Sequence, residues 1–314
     1  MASESPELPE LPELPESPDP TGDRALPAPG PGGGAPCGDP FTHDAGRRLA
    51  DWFAASARDL PFRKTRDPYA ILVSEIMLQQ TRVETMLPYY ARFLERFPDP
   101  FSLAAASEEE VLTLWRGLGY YARGRNLLAL ARAVCRDHSG RIPDDPAALR
   151  ALPGIGDYTA GAVLSIAFGR PEPAVDGNVL RVAARLGALE DDILLPSTRR
   201  AVTERVRAMT PPDRAAQVCE GLMELGARIC LPAAPRCGAC PLSACCRAFR
   251  EGKAEALPVR RRRMPPLVDR LTAFVVEGPE GILLVRRPAG GLLGGMDAVP
   301  LRRDVPVRDA PAYM

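Results

Sequence analysis

Between Thr42 and Arg250 the sequence carries ten stretches in which apolar residues recur at helical spacing, with no strand-like alternation anywhere among them. They cover residues 45–57, 68–80, 82–96, 107–116, 124–137, 145–151, 157–168, 178–187, 197–209 and 213–229. Apolar residues three and four apart share one face of a helix, and each such face must bury itself against another. A run of such helices with short connectors predicts an all-α domain over residues 41–249. The pattern changes only after Arg250 to Pro266, a basic linker with arginines at 260, 261, 262 and 263. Leu271-Thr-Ala-Phe-Val-Val276 and Ile282-Leu-Leu-Val285, around Gly278 to Gly281, then predict a β-hairpin opening a second unit. The chain ends at Met314, too soon for that unit to be complete.

Residues 1–40 combine an E-L-P repeat with a Gly/Pro stretch and are expected to be disordered. They hold eight acids against Arg24, so the zero net charge of the whole chain hides 39 bases and 32 acids in residues 41–314. That moderately basic remainder permits a nucleic-acid partner without proving one. The N-terminus has neither a basic region nor an apolar core, so it does not read as a signal peptide. The longest uncharged apolar run, Tyr158 to Gly169, is too short to span a bilayer. A cytosolic compartment follows, in which the eight cysteines read as ligands or thiols rather than disulfides.

Three constellations carry chemistry. Cys230, Cys237, Cys240 and Cys246 lie within 17 positions and can close around one metal centre, either tetrahedral zinc or an iron–sulfur cluster. Spacing alone does not decide between these, and Cys245 competes with Cys246 as the fourth ligand. Leu152-Pro-Gly-Ile-Gly156 joins two helical stretches, with Gly154 and Gly156 leaving backbone N–H groups bare for a phosphate oxygen. Such a turn also serves as a plain helix connector. The third is a pair of carboxylates. Glu75 sits among Leu72, Val73, Ile76, Met77 and Leu78, where desolvation should hold it protonated. Asp176 precedes a helical stretch, where the helix N-terminus favours the anion. Carboxyls pushed apart in pKa are the usual acid and anion of glycosidic-bond cleavage. Taken singly, Glu75 facing solvent and Asp176 as a simple helix cap are the stronger readings.

The order VSEIMLQQT, GLGYYARGRNL, LPGIGDYTAG, VDGNVLRV and C-x6-C-x2-C-x5-C resembles the endonuclease III-like helix-hairpin-helix glycosylases, and within them the adenine DNA glycosylases of the MutY type. The resemblance covers about Leu60 to Cys246. It implies a six-helix barrel over about 68–180 and an iron–sulfur module from 41–67 and 181–249, with a [4Fe-4S] cluster on Cys230, Cys237, Cys240 and Cys246. Residues 267–314 resemble only the opening of a Nudix-like α/β domain, including Leu292-Leu-Gly-Gly295. Where lyase members place a nucleophilic lysine this chain has Tyr158, which implies a monofunctional hydrolase. Glu75 would protonate the flipped adenine and Asp176 would stabilise the sugar cation. Tyr158 and Asn178 would support the sugar and the attacking water. Arg63 and Glu220 would line the base pocket, with Leu78 assisting, and Gln80 and Tyr120 would enter the duplex. Phe62 stands where the family usually has tryptophan.

The implied partner is double-stranded DNA containing A:8-oxoguanine or A:G mispairs, met by a monomer in a bacterial cytoplasm and associated with the nucleoid through DNA. Thymine-mismatch glycosylases share the tyrosine, and a thymine/uracil-mismatch or endonuclease III-like glycosylase is the nearest alternative. A DNA-binding scaffold without catalysis is the alternative of another class, and intact Glu75 and Asp176 argue against it.

Overall fold

A computed structural model describes residues 38–261, 270–288 and 294–303. The expected tail up to residue 37, part of the linker and the end of the chain lie outside the described residues. The chain divides into two units, Met1–Arg261 and Arg262–Met314.

All ten predicted helices form in the first unit. They are α1 (His43–Ser56), α2 (Pro68–Leu78), α3 (Val83–Arg96), α5 (Glu108–Trp115), α6 (Ala122–His138), α7 (Pro146–Arg150), α8 (Asp157–Ile166), α9 (Gly177–Gly187), α10 (Pro196–Met209) and α11 (Ala215–Arg228). Two more, α4 (Pro100–Ala105) and α12 (Arg247–Arg250), lie outside the predicted stretches. The start of α4 is nonetheless written locally, by a capping box between Asp99 and Ser102 and by Pro100. Among the described residues no helix is long and apolar enough to cross a membrane.

The helices gather around two cores. One is drawn from α2 to α8 and is filled by Trp115, Phe93, Phe97, Met86, Leu127 and Leu130. The other joins α1 to α9, α10 and α11 through Leu49, Val179, Val202 and Leu222, and runs on to Cys245. A helix with one apolar stripe buries one face. By contrast α2 buries nine consecutive residues, Tyr69 to Met77, and α8 buries eight, Thr159 to Ile166. A helix buried on every side leaves any carboxylate it carries without water.

The described residues of the second unit form three short antiparallel ladders, one of which is the turn end of the predicted hairpin, with Leu283 N donating to Val276 O at 2.9 Å. Strand β1 (Leu271–Ala273) pairs with β6 (Leu301–Arg303), not with the stretch 282–285. The tight hairpin is β2 (Glu277–Gly278) with β3 (Gly281–Ile282), while β4 (Val285–Arg286) pairs with β5 (Asp297–Ala298). Gly281, at φ 122°, permits the turn and sets that register.

Candidate active site

One cleft between the two cores collects seven of the predicted site residues: Arg63, Glu75, Leu78, Tyr158, Asp176, Asn178 and Glu220. They come from four helices and the loop 58–63, and the cleft encloses about 190 Å³. Helix α2 brings Glu75 because Asp67 caps its start, accepting from Tyr69 N and Ala70 N, and Pro68 fits its first position. Helix α9 brings Asp176 as its own N-cap, Oδ1 accepting from Val179 N at 2.8 Å. Gly161 of α8 lets the chain before Asp176 come close, since a Cβ there would stand 2.3 Å from Pro173 O. Gly226 does the same for α11 against Asn178, where a Cβ would lie 2.9 Å from the Asn178 Cβ.

Glu75 is 5% exposed, and its Oε2 faces the cleft with no hydrogen-bond partner. Burial, with the neighbouring carboxylates Glu220 and Asp176, pushes its pKa up to about 7 against the pull of Tyr158 and Arg63. The Tyr158 hydroxyl, close enough to Glu75 to be felt, points in this geometry at Met223 Sδ, 3.8 Å away. Asp176 accepts one N–H on each oxygen, Val179 N on Oδ1 and Asn178 Nδ2 on Oδ2, the latter at 2.9 Å. A network continues along α9. Asn178 Oδ1 accepts from Arg181 Nη2 at 3.0 Å, and Arg181 Nε donates to Cys230 O at 2.8 Å.

Sequence reasoning paired Arg63 with Glu220 in the pocket, and both are there, yet each has another principal partner. Glu220 is buried beside Arg66, 3.2 Å away. Arg63 meets Glu224, which is fully buried and also receives Arg58 Nε at 3.0 Å and Nη2 at 2.9 Å. Burial alone would raise the Glu224 pKa, but the hydrogen bonds from Arg58 and Arg63 outweigh it and leave it at about 2. Glu224, Arg58, Arg181 and Met223 were not singled out from the sequence. The signal for Glu224 was present: like Glu75, it is an acid inside an apolar run, Leu222-Met-Glu-Leu225. Phe62 lines the cleft and sets its ring edge-on to Tyr90.

Gln80 and Tyr120 lie outside the cleft on exposed turns. Both have left-handed backbones, φ 58° and 47°, a conformation that costs a non-glycine residue about 1–3 kcal/mol. The turn 151–156 joins α7 to α8, with Gly154 at φ 77° and its Cα against Asn126. Gly156 caps α8 without any side chain, and a Cβ on it would meet nothing within 4 Å. The protein's own packing therefore does not demand glycine there. What its absence of a side chain leaves open is approach from outside.

Cys230, Cys237, Cys240 and Cys246 line one small cavity with Ile229, Phe249 and the buried Arg185. Arg185 Nη1 lies 3.4 Å from Cys230 Sγ, and its other nitrogens hold Pro232 O and Leu257 O, each at 2.9 Å. Among the described residues no three side chains converge closely enough to hold a single ion. Cys245 does not line that cavity; it is fully buried and disulfide-bonded, which removes it as the fourth ligand and corrects the expectation that the cysteines are ligands or thiols rather than disulfides.

Residues 73–212 match the HhH-GPD superfamily base excision DNA repair proteins. The adenine DNA glycosylase of Rattus norvegicus is 36% identical over 306 residues, covering 81% of this chain and 59% of that protein. That of Mycobacterium tuberculosis is 40% identical over 204 residues, covering 65% of this chain and 67% of that protein. A solved thermostable thymine-DNA glycosylase superposes with a TM-score of 0.61 at 30% identity, covering 66% of this chain and 96% of that one. The chain thus spans less than two thirds of the rat relative's length. These matches and the geometry above agree that the chain belongs to the HhH-GPD superfamily of base excision DNA repair proteins and, within it, to the adenine DNA glycosylase family.

Proposed function

We propose that this chain is a monofunctional DNA glycosylase that hydrolyses the N-glycosidic bond of adenine mispaired with 8-oxoguanine or guanine in duplex DNA. The observation that carries the reading is Glu75: a buried acid with a pKa raised to about 7 and an unpartnered oxygen, sharing a cleft with Asp176, the N-cap of α9. Protonated Glu75 gives its proton to the base, the C–N bond breaks with its electron pair going to the base, and adenine leaves neutral. General acid help of this kind contributes about 10²–10⁴-fold. Asp176 lies where its charge, oriented by Val179 N and Asn178 Nδ2, meets the cation left on the sugar. Water then adds to that carbon, and the proton it loses returns to the Glu75 carboxylate. Tyr158 has no amine, so no Schiff base forms and the DNA strand stays intact.

The bare N-terminus of α8 behind Gly154 and Gly156 suits a backbone phosphate. Gln80 and Tyr120, outside the cleft on projecting turns, suit entry into the duplex beside an extruded base. Four thiols around one apolar-walled cavity, with Arg185 Nη1 3.4 Å from one sulfur, supply the four ligands that a [4Fe-4S] cluster takes, as the family resemblance implies. When bound, such a cluster would tie the 230–246 loop into one body.

The test is release of free base from duplexes carrying A opposite 8-oxoguanine, A opposite G, and T opposite G. Adenine from the first two, with no covalent adduct trapped by borohydride, is the expected outcome. Thymine release without adenine release would move the chain to the thymine-mismatch activity, and efficient trapping would make it a lyase.

A further inference from the structure

Arg123, the second residue of α6, is buried, and among the described residues no carboxylate meets its guanidinium. Its Nη1 stands 3.1 Å from Ile76 O and 2.9 Å from Met77 O at the end of α2, and donates as well to Gln79 O and to Thr81 Oγ1 at 3.2 Å. Its Nη2 reaches the other way, to Leu118 O at 3.1 Å and Gly119 O at 3.2 Å in the turn before α6. The guanidinium plane is covered by the rings of Trp115 and Tyr120, 5.6 and 5.5 Å from their centroids. One cation therefore gathers carbonyls from two turns far apart in sequence, at a helix C-terminus where positive charge is favoured.

These are the turns that carry Gln80 and Tyr120. Leu78 to Thr81 is closed by Thr81 N donating to Leu78 O at 3.2 Å, with Gln79 at φ −58°, ψ 110° and Gln80 at φ 58°. That is a type II turn, whose third position ordinarily takes glycine. Tyr120, at φ 47°, follows Gly119, which is itself left-handed. Strained non-glycine residues persist only where their surroundings over-determine them. Arg123 is the residue common to both surroundings.

We infer that Arg123 is a positioning residue that locks the two turns into one platform, so that Gln80 and Tyr120 meet the duplex as a unit. The inference deepens the proposed function, since it rests on these two residues entering the DNA. Lysine offers a point charge and three donors where arginine offers a planar fork of five, so Arg123→Lys keeps the charge and loses the span.

Two measurements test it. Hydrogen exchange on the DNA-free protein should show both turns, 79–81 and 117–120, opening about tenfold more often in Arg123→Lys while α8 and α9 keep their protection. Single-turnover excision from a mispaired duplex should slow by about tenfold in Arg123→Lys, with no further loss when Arg123→Lys is added to the Gln80→Ala, Tyr120→Ala background. Unchanged exchange in either turn, or full additivity of the rate losses, overturns the inference. If Gln80→Ala and Tyr120→Ala leave excision untouched, the base-extrusion reading has failed. Exchange alone then decides whether Arg123 holds the turns. Should Arg123→Lys fail to fold, Thr81→Val, which removes one acceptor, is read by the same exchange experiment.

Discussion

Arg63 and Glu224 meet on the wall of the cleft, Nη2 to Oε2 at 2.8 Å, so the cation beside the candidate acid is neutralised by a second carboxylate. Arg58 joins them, and the Glu224 side chain has no exposure at all. Removing one partner of such a buried group strands the others. Glu224→Ala should lower the unfolding free energy by about 3–5 kcal/mol, measured by urea denaturation. An unchanged midpoint would mean that Arg58 and Arg63 are solvated in solution. The carboxyl is held at about 2 against an ordinary 4.5, so its contribution is complete above 4.5 and is lost as pH falls through that window.

Glu75 has the opposite sign. Its folded pKa of about 7 lies above the ordinary 4.5, so the folded state holds the proton more tightly and stability declines as pH rises between those values. Glu75→Gln removes that cost and the proton donor together. The variant should unfold at higher temperature near pH 8, by roughly 1–3 kcal/mol of added stability, while excision collapses and duplex binding stays near normal. Single-turnover excision by the unaltered chain should fall as pH rises through about 7. A rate flat across that range, or substantial excision by Glu75→Gln, rules out this acid.

Why these two acids were not equally legible is instructive. Both interrupt apolar runs, but Glu75 came inside a motif whose neighbours fix its meaning, whereas Glu224 came in a helix that reads as ordinary core. The longer helices were legible because their period repeats over two or more turns. Short elements such as α4, fixed by a cap and a proline, have no period to read. The hairpin around Gly278 to Gly281 was legible at its turn, but the pairing of its outer end was not, because pairing is a tertiary choice: Leu301-Arg-Arg shows no alternation, yet it supplies the partner strand of Leu271–Ala273. The left-handed Gln80 was invisible for a related reason. No local propensity favours it, and the group that holds the turn is Arg123, 43 positions along the chain.

The cysteine cavity makes a prediction of its own. Purified without oxygen, the protein should be brown and carry about four irons per chain. Stoichiometric zinc without iron would refute the cluster. Cys240→Ser should impair folding and duplex binding more than the chemical step, because Arg181 and Arg185 fasten the same loop to α9 by donating to Cys230 O and Pro232 O. If folding and binding survive while only excision is lost, the loop has a chemical part that these contacts do not suggest.

Asp176 offers the sharpest separation of fold from chemistry, since it does two things with one side chain. As the N-cap of α9 it accepts Val179 N through Oδ1, and as an anion it faces the cleft beside Glu75. Asparagine caps helices about as well as aspartate, so Asp176→Asn should change unfolding stability by no more than about 0.5 kcal/mol. It removes only the charge. Excision should nevertheless fall by a factor on the order of 10² or more, as when a preorganised charge at a developing ion is removed. Alanine, which loses both cap and charge, should cost excision a similar factor and stability an additional ~1 kcal/mol. If asparagine retains full excision, Asp176 serves α9 as a cap alone and the cation must be stabilised elsewhere in the cleft, where Glu220 is the buried wall carboxylate that Arg58 and Arg63 do not already hold. Glu220→Gln measured beside Asp176→Asn would then show which carboxylate the reaction uses.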